Sequence, residues 1–492
     1  MANAEASEPT IGGLARALGL DAPAYDAVPL LGVVQDSRKV KPGFAFFAIP
    51  GNKADGAAFM PAAAEAGATV IVGEIPRPPD LTLTAFYLRV KDARKALSRA
   101  ARYMHPGQPE TIVAVTGTAG KTSVADFTRQ IFARLKHKAG SLGTLGFIGP
   151  DGPEYGSLTT PDPVTLHARL DAITRAGVTH LAMEASSHGL DQFRLDGVQL
   201  KAAAFTNLGR DHLDYHPDMD HYFAAKLRLF QDLLPKGAPA IVNLDGDRGA
   251  EAAVAAGFAG RSVFTVGRRG EDIRLVSATP SGFGQDLELV YKDKSYVVHL
   301  PLIGGFQVQN ALVAAGFALV MGEKPKAVFA AFEHLRGVPG RLEKVGERNG
   351  APVFVDYAHK PEALEHALSA LRPAVRGKLI VIFGCGGDRD PGKRPIMGAI
   401  ASQKADLVIV TDDNPRSENP AAIRQAVLAG APDGIEIGDR AQAIRDGIRY
   451  LTDGDALLIA GKGHETGQIV GSEVLPFSDH EVARGVIEEL SE

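Results

Sequence analysis

From Thr111 onward, runs of apolar and β-branched residues repeatedly end in polar turns that carry Gly or Pro. "IVAVTG" does so first, and "PVFVDYAHKP", "KLIVIFGCGGDRD", "ADLVIVTDDNPR" and "DALLIAGKGHE" do so after residue 350. Such runs suit strands covered on both faces, as in a parallel sheet. Their alternation with helical stretches predicts doubly wound α/β layers. In open parallel sheets, ligands bind beyond the carboxyl ends of the strands, so the polar turns are where chemistry is to be sought. Two breaks divide the pattern: "YMHPGQPET" (Tyr103 to Thr111) and "LRGVPGRLEKV" (Leu335 to Val345). Pro and Gly interrupt a helical run at the first, and the strand–helix rhythm restarts after the second. At ~150 residues per domain, a chain of 492 residues predicts three α/β domains, over residues 1–106, 107–338 and 339–492. The central one is expected to be a mostly parallel, doubly wound sheet with a phosphate loop, and the last to be Rossmann-like.

Composition removes several function classes. A net charge of -5 offers no broad basic surface for nucleic acid. "MANAEASEPT" lacks the basic and apolar segments of a secretion signal. The longest apolar stretch, within "NALVAAGFALVMGEK", falls short of the ~18 residues that a membrane span needs. A single cysteine, Cys385, excludes an internal disulfide and fits a reducing compartment. These features predict a soluble cytoplasmic protein.

"TIVAVTGTAGKTSV" (Thr111 to Val124) carries the clearest chemistry. The common nucleotide loop reads G-x-x-x-x-G-K-[ST]. Here Val115 stands where its first Gly belongs, and the Gly comes two residues later at Gly117. Val124, Phe127, Ile131 and Leu135 then fall on one helical face. The loop therefore lies between a strand end and a helix start, where free N–H groups and the helix dipole favour anions. Gly117 and Gly120 let the backbone approach a phosphate, Lys121 reaches its oxygens, and Thr122 can ligate magnesium. The plainer alternative is a tight turn with a surface lysine.

The shortened loop "TGTAGKT" resembles that of the Mur ligase family, ATP-dependent amide-forming enzymes of peptidoglycan synthesis, with Ala119 where the family usually has Asn. The resemblance runs along nearly the whole chain. "MEASSHGLDQFRL" and "TNLGRDHLDYHPDMDHYFAAK" look like the central domain of the branch that adds the third amino acid; "GVPGRLEKV", "VFVDYAHKPEAL", "GCGGDRDPGKRP", "DNPR" and "GKGHE" look like its C-terminal domain. It implies transfer of an amine to UDP-N-acetylmuramoyl-L-alanyl-D-glutamate through an acyl phosphate, with ATP and Mg2+. It implies an ATP site of Gly117, Thr118, Ala119, Gly120, Lys121, Thr122 and Ser123, joined by Asn310, Arg341, Asp356 and His359. Glu184 and Thr122 are implied as magnesium ligands, and His212 as a ligand of a second ion. Lys226 is implied to carry a carbamate that supplies oxygen to that ion. Read from the residues alone, Glu184 is a surface or capping carboxylate, His212 a hydrogen-bonded loop histidine and Lys226 a lysine snorkelling to solvent. Likewise, Arg341 pairs near Glu343 and Asp356 caps the helix near Pro361.

The N-terminal "QDSRKVKPGFAFFAIPGNKADGAAF" resembles the family's uridine-binding domain, making Ser37, Asn52, Lys53, Asp55 and Gly56 candidate contacts. By itself the segment reads as a strand pair joined by Pro-Gly and Gly-Asn turns, a plain hairpin. Thr159 and Thr160 in "SLTTPDP", with Ser186, Gln192 and Arg194, are implied to bind the muramoyl-dipeptide portion. For the amine, "DDNPR" supplies Asp413, Asn414 and Arg416 and resembles the meso-diaminopimelate signature, with Arg389, Gly461 and Glu465 completing the set. A cationic fork that loses its partner carboxylate would penalise L-lysine, the alternative amine. Lys360 stands where the family commonly has Thr. A GTPase would show N-K-x-D, which is missing. A non-catalytic scaffold would be expected to lose Lys121, Glu184 or Lys226. A folate-polyglutamate ligase fits the N-terminal region and D-N-P-R poorly. The chain is expected to work as a monomer that closes around its substrates.

Overall fold

The computed structural model describes residues 8–51, 55–79, 81, 85–154, 156 and 158–490. The chain forms two compact units, residues 1–275 with 309–329 and residues 276–308 with 330–492.

The first unit contains a four-stranded sheet of β1 (Gly32–Val34), β2 (Phe44–Phe47), β3 (Val70–Gly73) and β4 (Phe86–Arg89) in that order. All neighbours are parallel. This corrects the hairpin expected for the segment after Gln35: among its described residues it holds one strand, β2, which pairs in parallel with the preceding β1, Gly32 opposite Phe44. Parallel neighbours need a connection that returns to the starting end of the sheet, and residues 35–43 make it through the 3-10 turn Ser37–Lys39. Helix Ala93–Met104 lays Ala96, Leu97 and Ala100 over Val70 and Val72.

The larger sheet of this unit uses β5 (Thr111–Thr116), β6 (Ala139–Gly143), β7 (Gly146–Gly149), β8 (Gly152–Glu154), β9 (His180–Glu184), β10 (Ala202–Phe205), β11 (Pro239–Asn243) and β12 (Ser262–Gly267). Their spatial order is β12-β11-β10-β5-β9-β6-β7-β8. Pairing is parallel from β12 to β6, then antiparallel through β7 and β8. β13 (Ile273–Ser281) starts parallel to β12. As expected, β5 is a buried central strand, and Val124, Phe127 and Ile131 of helix Lys121–Arg134 are fully buried. Burying each such side chain contributes about 1.5–3 kcal/mol. The chain runs from β5 to one side of the sheet through β6 and β9, then to the other through β10. This topological switch opens a crevice at the carboxyl ends of β5, β9 and β10.

The second unit holds the antiparallel hairpin β14 (Gly284–Tyr291) and β15 (Lys294–Leu300). Lys292 and Asp293 turn it with φ of 48° and 60°, as the twist of a two-residue hairpin turn requires. Its main sheet comprises β16 (Glu343–Arg348), β17 (Ala351–Asp356), β18 (Leu379–Phe383), β19 (Leu407–Val410), β20 (Ile435–Glu436) and β21 (Ala456–Ala460), ordered β16-β17-β21-β18-β19-β20. Only the β16–β17 pair is antiparallel. A further hairpin pairs β22 (Gly467–Val470) with β23 (Glu473–Pro476). The four apolar runs seen after residue 350 are β17, β18, β19 and β21, neighbours in one parallel array. Among the described residues, no helix is long and apolar enough to cross a membrane.

Candidate active site

In the first unit the site grows from the end of β5. Gly117 and Gly120 adopt φ of 149° and 85°. A Cβ at Gly117 would fall 1.9 Å from Thr206 Oγ1, and one at Gly120 would fall 2.3 Å from Asn310 Oδ1. Both positions therefore need glycine. The loop is braced from the end of β10: Asn207 Oδ1 accepts from Ala119 N at 3.0 Å, and Thr206 Oγ1 donates to Ala119 O at 2.7 Å. Thr118 Oγ1 meets Tyr222 OH at 3.1 Å. Lys121 Nζ donates to Gly117 O at 2.8 Å and Thr118 O at 2.9 Å. Ser123 is buried in the first turn of the helix.

Glu184 ends β9 and is almost fully buried, which overturns the surface or capping alternative. Its Oε1 accepts from Thr144 N at 2.8 Å and its Oε2 from Thr144 Oγ1 at 3.3 Å. Burial pushes its pKa up, opposed by the charge of Lys121 and by hydrogen bonds from Thr144 and Thr122. Thr122 and Glu184 thus present two oxygen donors beside the phosphate loop. That donor chemistry fits a magnesium ion completed by phosphate oxygens and water.

Lys226 belongs to helix Met219–Arg228 and is also buried, so it does not snorkel to solvent. Its Nζ donates to Gly117 O at 2.8 Å and lies 4.2 Å from the Tyr222 ring centroid. Burial, with the charge of Lys121 adding to it, lowers its pKa to about 6. His212 has φ of 53° and a partly exposed ring, 4.9 Å from the His188 ring and 6.0 Å from that of Tyr222. His212 and an unmodified Lys226 offer nitrogen alone, a poor set for magnesium. Among the described residues no group of three His, Cys, Asp or Glu is arranged to hold a metal. A carbamate on Lys226 would supply the missing oxygen.

A second cluster lies at the turn after β9. Thr160 Oγ1 donates to Glu184 O at 3.1 Å and accepts from Ser186 N at 3.1 Å and Ser186 Oγ at 3.0 Å. Arg194 donates to Thr160 O at 2.6 Å and to Gln192 Oε1 at 2.7 Å. Thr159 Oγ1 meets Thr144 Oγ1 at 3.1 Å. A cavity of about 260 Å³ is lined by Gln35, Arg94, Leu158, Asp162, Gln192 and Arg194, among others. The structure thus brings Thr159, Thr160, Ser186, Gln192 and Arg194 together. Ser37 lies in the turn that follows Gln35, and Asp55 caps the turn Gly56–Phe59 by accepting from Ala57 N at 2.9 Å. Asn52 and Lys53 lie outside the described residues.

In the second unit, Asp356 ends β17 and accepts from Leu342 N at 2.7 Å and Ala358 N at 2.8 Å. It is not the cap of helix Pro361–Leu371, whose N-cap is Lys360. Burial raises its pKa to about 6. Arg341 lies 5.5 Å from the Tyr357 ring centroid, while Glu343 pairs with His480 and Arg484. His359 Nδ1 bonds to Tyr357 O at 2.8 Å, and burial lowers its pKa. Nearby, Arg416 donates to Gly387 O at 2.8 Å, and Asn414 Nδ2 donates to Glu465 Oε2 at 3.0 Å. Asp413 lies 3.4 Å from the wholly buried Lys462 Nζ, and Gly461 takes φ of 117° beside it. Arg389 is exposed on the Gly386–Gly387 loop that Arg416 grips.

Residues 30–105 match the Mur ligase family catalytic domain, 115–318 the Mur ligase middle domain, and 340–463 the Mur ligase glutamate ligase domain. A relative from Bradyrhizobium diazoefficiens, named UDP-N-acetylmuramoyl-L-alanyl-D-glutamate--2,6-diaminopimelate ligase, is 59% identical over 469 residues, covering 94% of this chain and 96% of its own length. The chain belongs to the Mur ligase family. A Rhizobium meliloti Mur ligase of the same name is 55% identical, covering 92% of this chain and 93% of its own. A solved structure of a Mur ligase with that name superposes with a TM-score of 0.77 at 32% identity, covering 98% of this chain and 100% of that one.

Within this Mur ligase chain, Asn207 already grips both backbone polar groups of Ala119, the second contact being Nδ2 to Ala119 O at 3.3 Å. The alanine leaves the loop braced. Sequence reading missed Asn207, Thr144, Tyr222 and Lys462. Asn207 and Tyr222 sit inside "TNLGRDHLDYHPDMDHYFAAK", and Lys462 inside "GKGHE", so motif position was the available signal. Thr144 lies in no motif that was singled out.

Proposed function

We propose that this chain is an ATP-dependent amide ligase that joins meso-diaminopimelate to UDP-N-acetylmuramoyl-L-alanyl-D-glutamate, giving the UDP-linked tripeptide, ADP and phosphate. The observation that carries the reading is the 59% identity to a diaminopimelate ligase over 94% of the chain, which spans both the phosphate loop and the D-N-P-R turn.

A free carboxylate is a poor electrophile, so the reaction runs through its phosphorylation to an acyl phosphate, which the amine then attacks with loss of phosphate. Phosphoryl transfer rests on positioning and charge neutralisation. Backbone N–H groups of residues 117–123 and Lys121 cradle the nucleotide phosphates. Thr122 and Glu184 hold magnesium, which when bound supplies charge neutralisation for the transferred group. His212 and a carbamylated Lys226 hold a second such ion. Asn310, Arg341, Asp356 and His359 contact the nucleotide. Ser37, Asn52, Lys53, Asp55 and Gly56 bind the uridine diphosphate end, and Thr159, Thr160, Ser186, Gln192 and Arg194 the muramoyl-dipeptide. Asp413, Asn414, Arg416, Arg389, Gly461 and Glu465 select diaminopimelate. The enzyme acts as a monomer in the cytoplasm, with domains 1–106, 107–338 and 339–492 carrying nucleotide sugar, ATP and amine respectively.

Purified protein supplied with ATP, Mg2+, the dipeptide nucleotide and meso-diaminopimelate should yield a product whose mass is the sum of the two joined substrates less one water. One phosphate should appear per amide formed. Phosphate release without the amide product would contradict the reading.

A further inference from the structure

Lys462 lies at the meeting point of the "DDNPR" and "GKGHE" turns, with no solvent exposure. Its Nζ donates to Gly467 O at 2.7 Å and to Asn414 Oδ1 at 3.0 Å. It also lies 3.4 Å from Asp413 Oδ1 and 3.4 Å from Glu465 Oε2. One buried cation therefore touches three of the residues assigned to the amine, and a fourth contact ties it to the start of β22.

The contacts set the polarity of the pocket. Asn414 Oδ1 accepts from Lys462 Nζ and also from Ile469 N at 2.9 Å. Two independent donors meet at one atom, so it must be the oxygen, and the amide nitrogen must face the other way. That nitrogen donates to Glu465 Oε2 at 3.0 Å, leaving its second hydrogen for a ligand. Glu465 Oε1 makes a long contact of 3.4 Å with Tyr357 OH, so it retains capacity to accept. Two carboxylates facing one ammonium also leave the cluster a surplus of negative charge.

We propose that Lys462 is the positioning residue of the amine site: it fixes Asn414 as a donor and Glu465 as an acceptor, so that the pocket reads a paired carboxylate and ammonium. The proposal rests on the assignment of the amine to this cluster. Without the cation, the Asn414 amide is free to turn over, and Asp413 and Glu465 lose the ammonium that both contact. An amino-acid terminus then meets donors and acceptors in the wrong places.

The test is steady-state kinetics on Lys462→Met and Lys462→Gln, with thermal melts of each. KM for diaminopimelate should rise by about tenfold or more, and more in the Met than in the Gln variant. KM for ATP and for the dipeptide nucleotide should stay within about twofold, and kcat at saturating amine should change less than KM. An unchanged KM for diaminopimelate in a folded variant overturns the proposal. So does a parallel rise in all three KM values, which would make Lys462 merely structural. Should Lys462→Met not fold, Lys462→Gln, which keeps a buried donor, decides; if that also fails to fold, the positioning role is overturned. Asn414→Ala separates the two claims. If it leaves KM for diaminopimelate unmoved, the amine lies elsewhere; if it raises that KM while Lys462→Gln does not, only the role of Lys462 fails.

Discussion

At Gly120 a side chain has neither the backbone conformation nor the room it needs. A methyl there would adopt φ of 85° and lie 2.3 Å from Asn310 Oδ1. Gly120→Ala should therefore cost about 1–2 kcal/mol in backbone strain alone and weaken ATP binding, seen as a higher Kd in calorimetry. Lys226 has a sharper signature. Its pKa is about 6 in the folded protein against 10.5 for a free lysine. Between those values the unfolded chain binds more protons, so folding stability should rise with pH across the window. Lys226→Met removes the buried amine and should flatten that rise in urea titrations at pH 7 to 9. A neutral amine is also what carbon dioxide reacts with. Lys226→Ala should lose activity and regain part of it with added formate or bicarbonate; full activity without additive would contradict the carbamate role. Residue identity was legible here and residue environment was not. Nothing in "HYFAAKLRLF" distinguishes a lysine on a wet helix face from one sealed against Gly117 O. Burial depends on which elements pack above it, and those are distant in sequence.

Among the elements, the buried ion pair at the foot of helix Asp479–Glu489 holds most at stake. Arg440 donates to Asp479 Oδ1 and Oδ2 at 2.7 Å each and to Ala460 O at 3.0 Å, and neither side chain of the pair is exposed. Asp479→Ala would leave Arg440 charged and unpaired, and should lower stability by about 3–5 kcal/mol in denaturant titration. It would also loosen the end of β21, which leads into Gly461. Asp356, at the end of β17, gives a second prediction. Its pKa is raised to about 6 from 3.8. The folded protein then holds the extra proton between those values, so this group's contribution to stability falls as pH rises through that window. Asp356→Asn should abolish the part of the acid limb near pH 6 that this carboxylate causes in a kcat/KM profile for ATP. Strand and helix types in these regions followed from periodicity. Pairing direction did not: the segment after Gln35 read as a hairpin, yet its strand β2 lies parallel to β1 and β3, because local turn residues reveal nothing of the crossover between parallel neighbours. The β14–β15 hairpin turns at Lys292 and Asp293, two residues without the usual Asn-Gly mark.

For the whole molecule, the phosphate loop belongs to one compact unit and the amine cluster to the other. Five of the motifs seen in the sequence occupy carboxyl ends of strands: Gly117 after β5, Glu184 on β9, Asp356 on β17, Asp413 beyond β19 and Gly461 after β21. The α/β rhythm foretold this arrangement, because parallel strands gather their carboxyl ends on one edge of a sheet. What the rhythm could not convey was the supporting cast of Thr144, Asn207 and Lys462, whose hydrogen bonds link residues far apart in the chain. The central claim is that this machinery joins diaminopimelate, not lysine, to the dipeptide nucleotide. Its most direct test is phosphate release by the purified protein with ATP, Mg2+ and UDP-N-acetylmuramoyl-L-alanyl-D-glutamate, offered each amine in turn. The account predicts kcat/KM for meso-diaminopimelate to exceed that for L-lysine by about 10⁴-fold, as expected where a cationic fork loses its partner carboxylate. Equal turnover, or a preference for lysine, would contradict it.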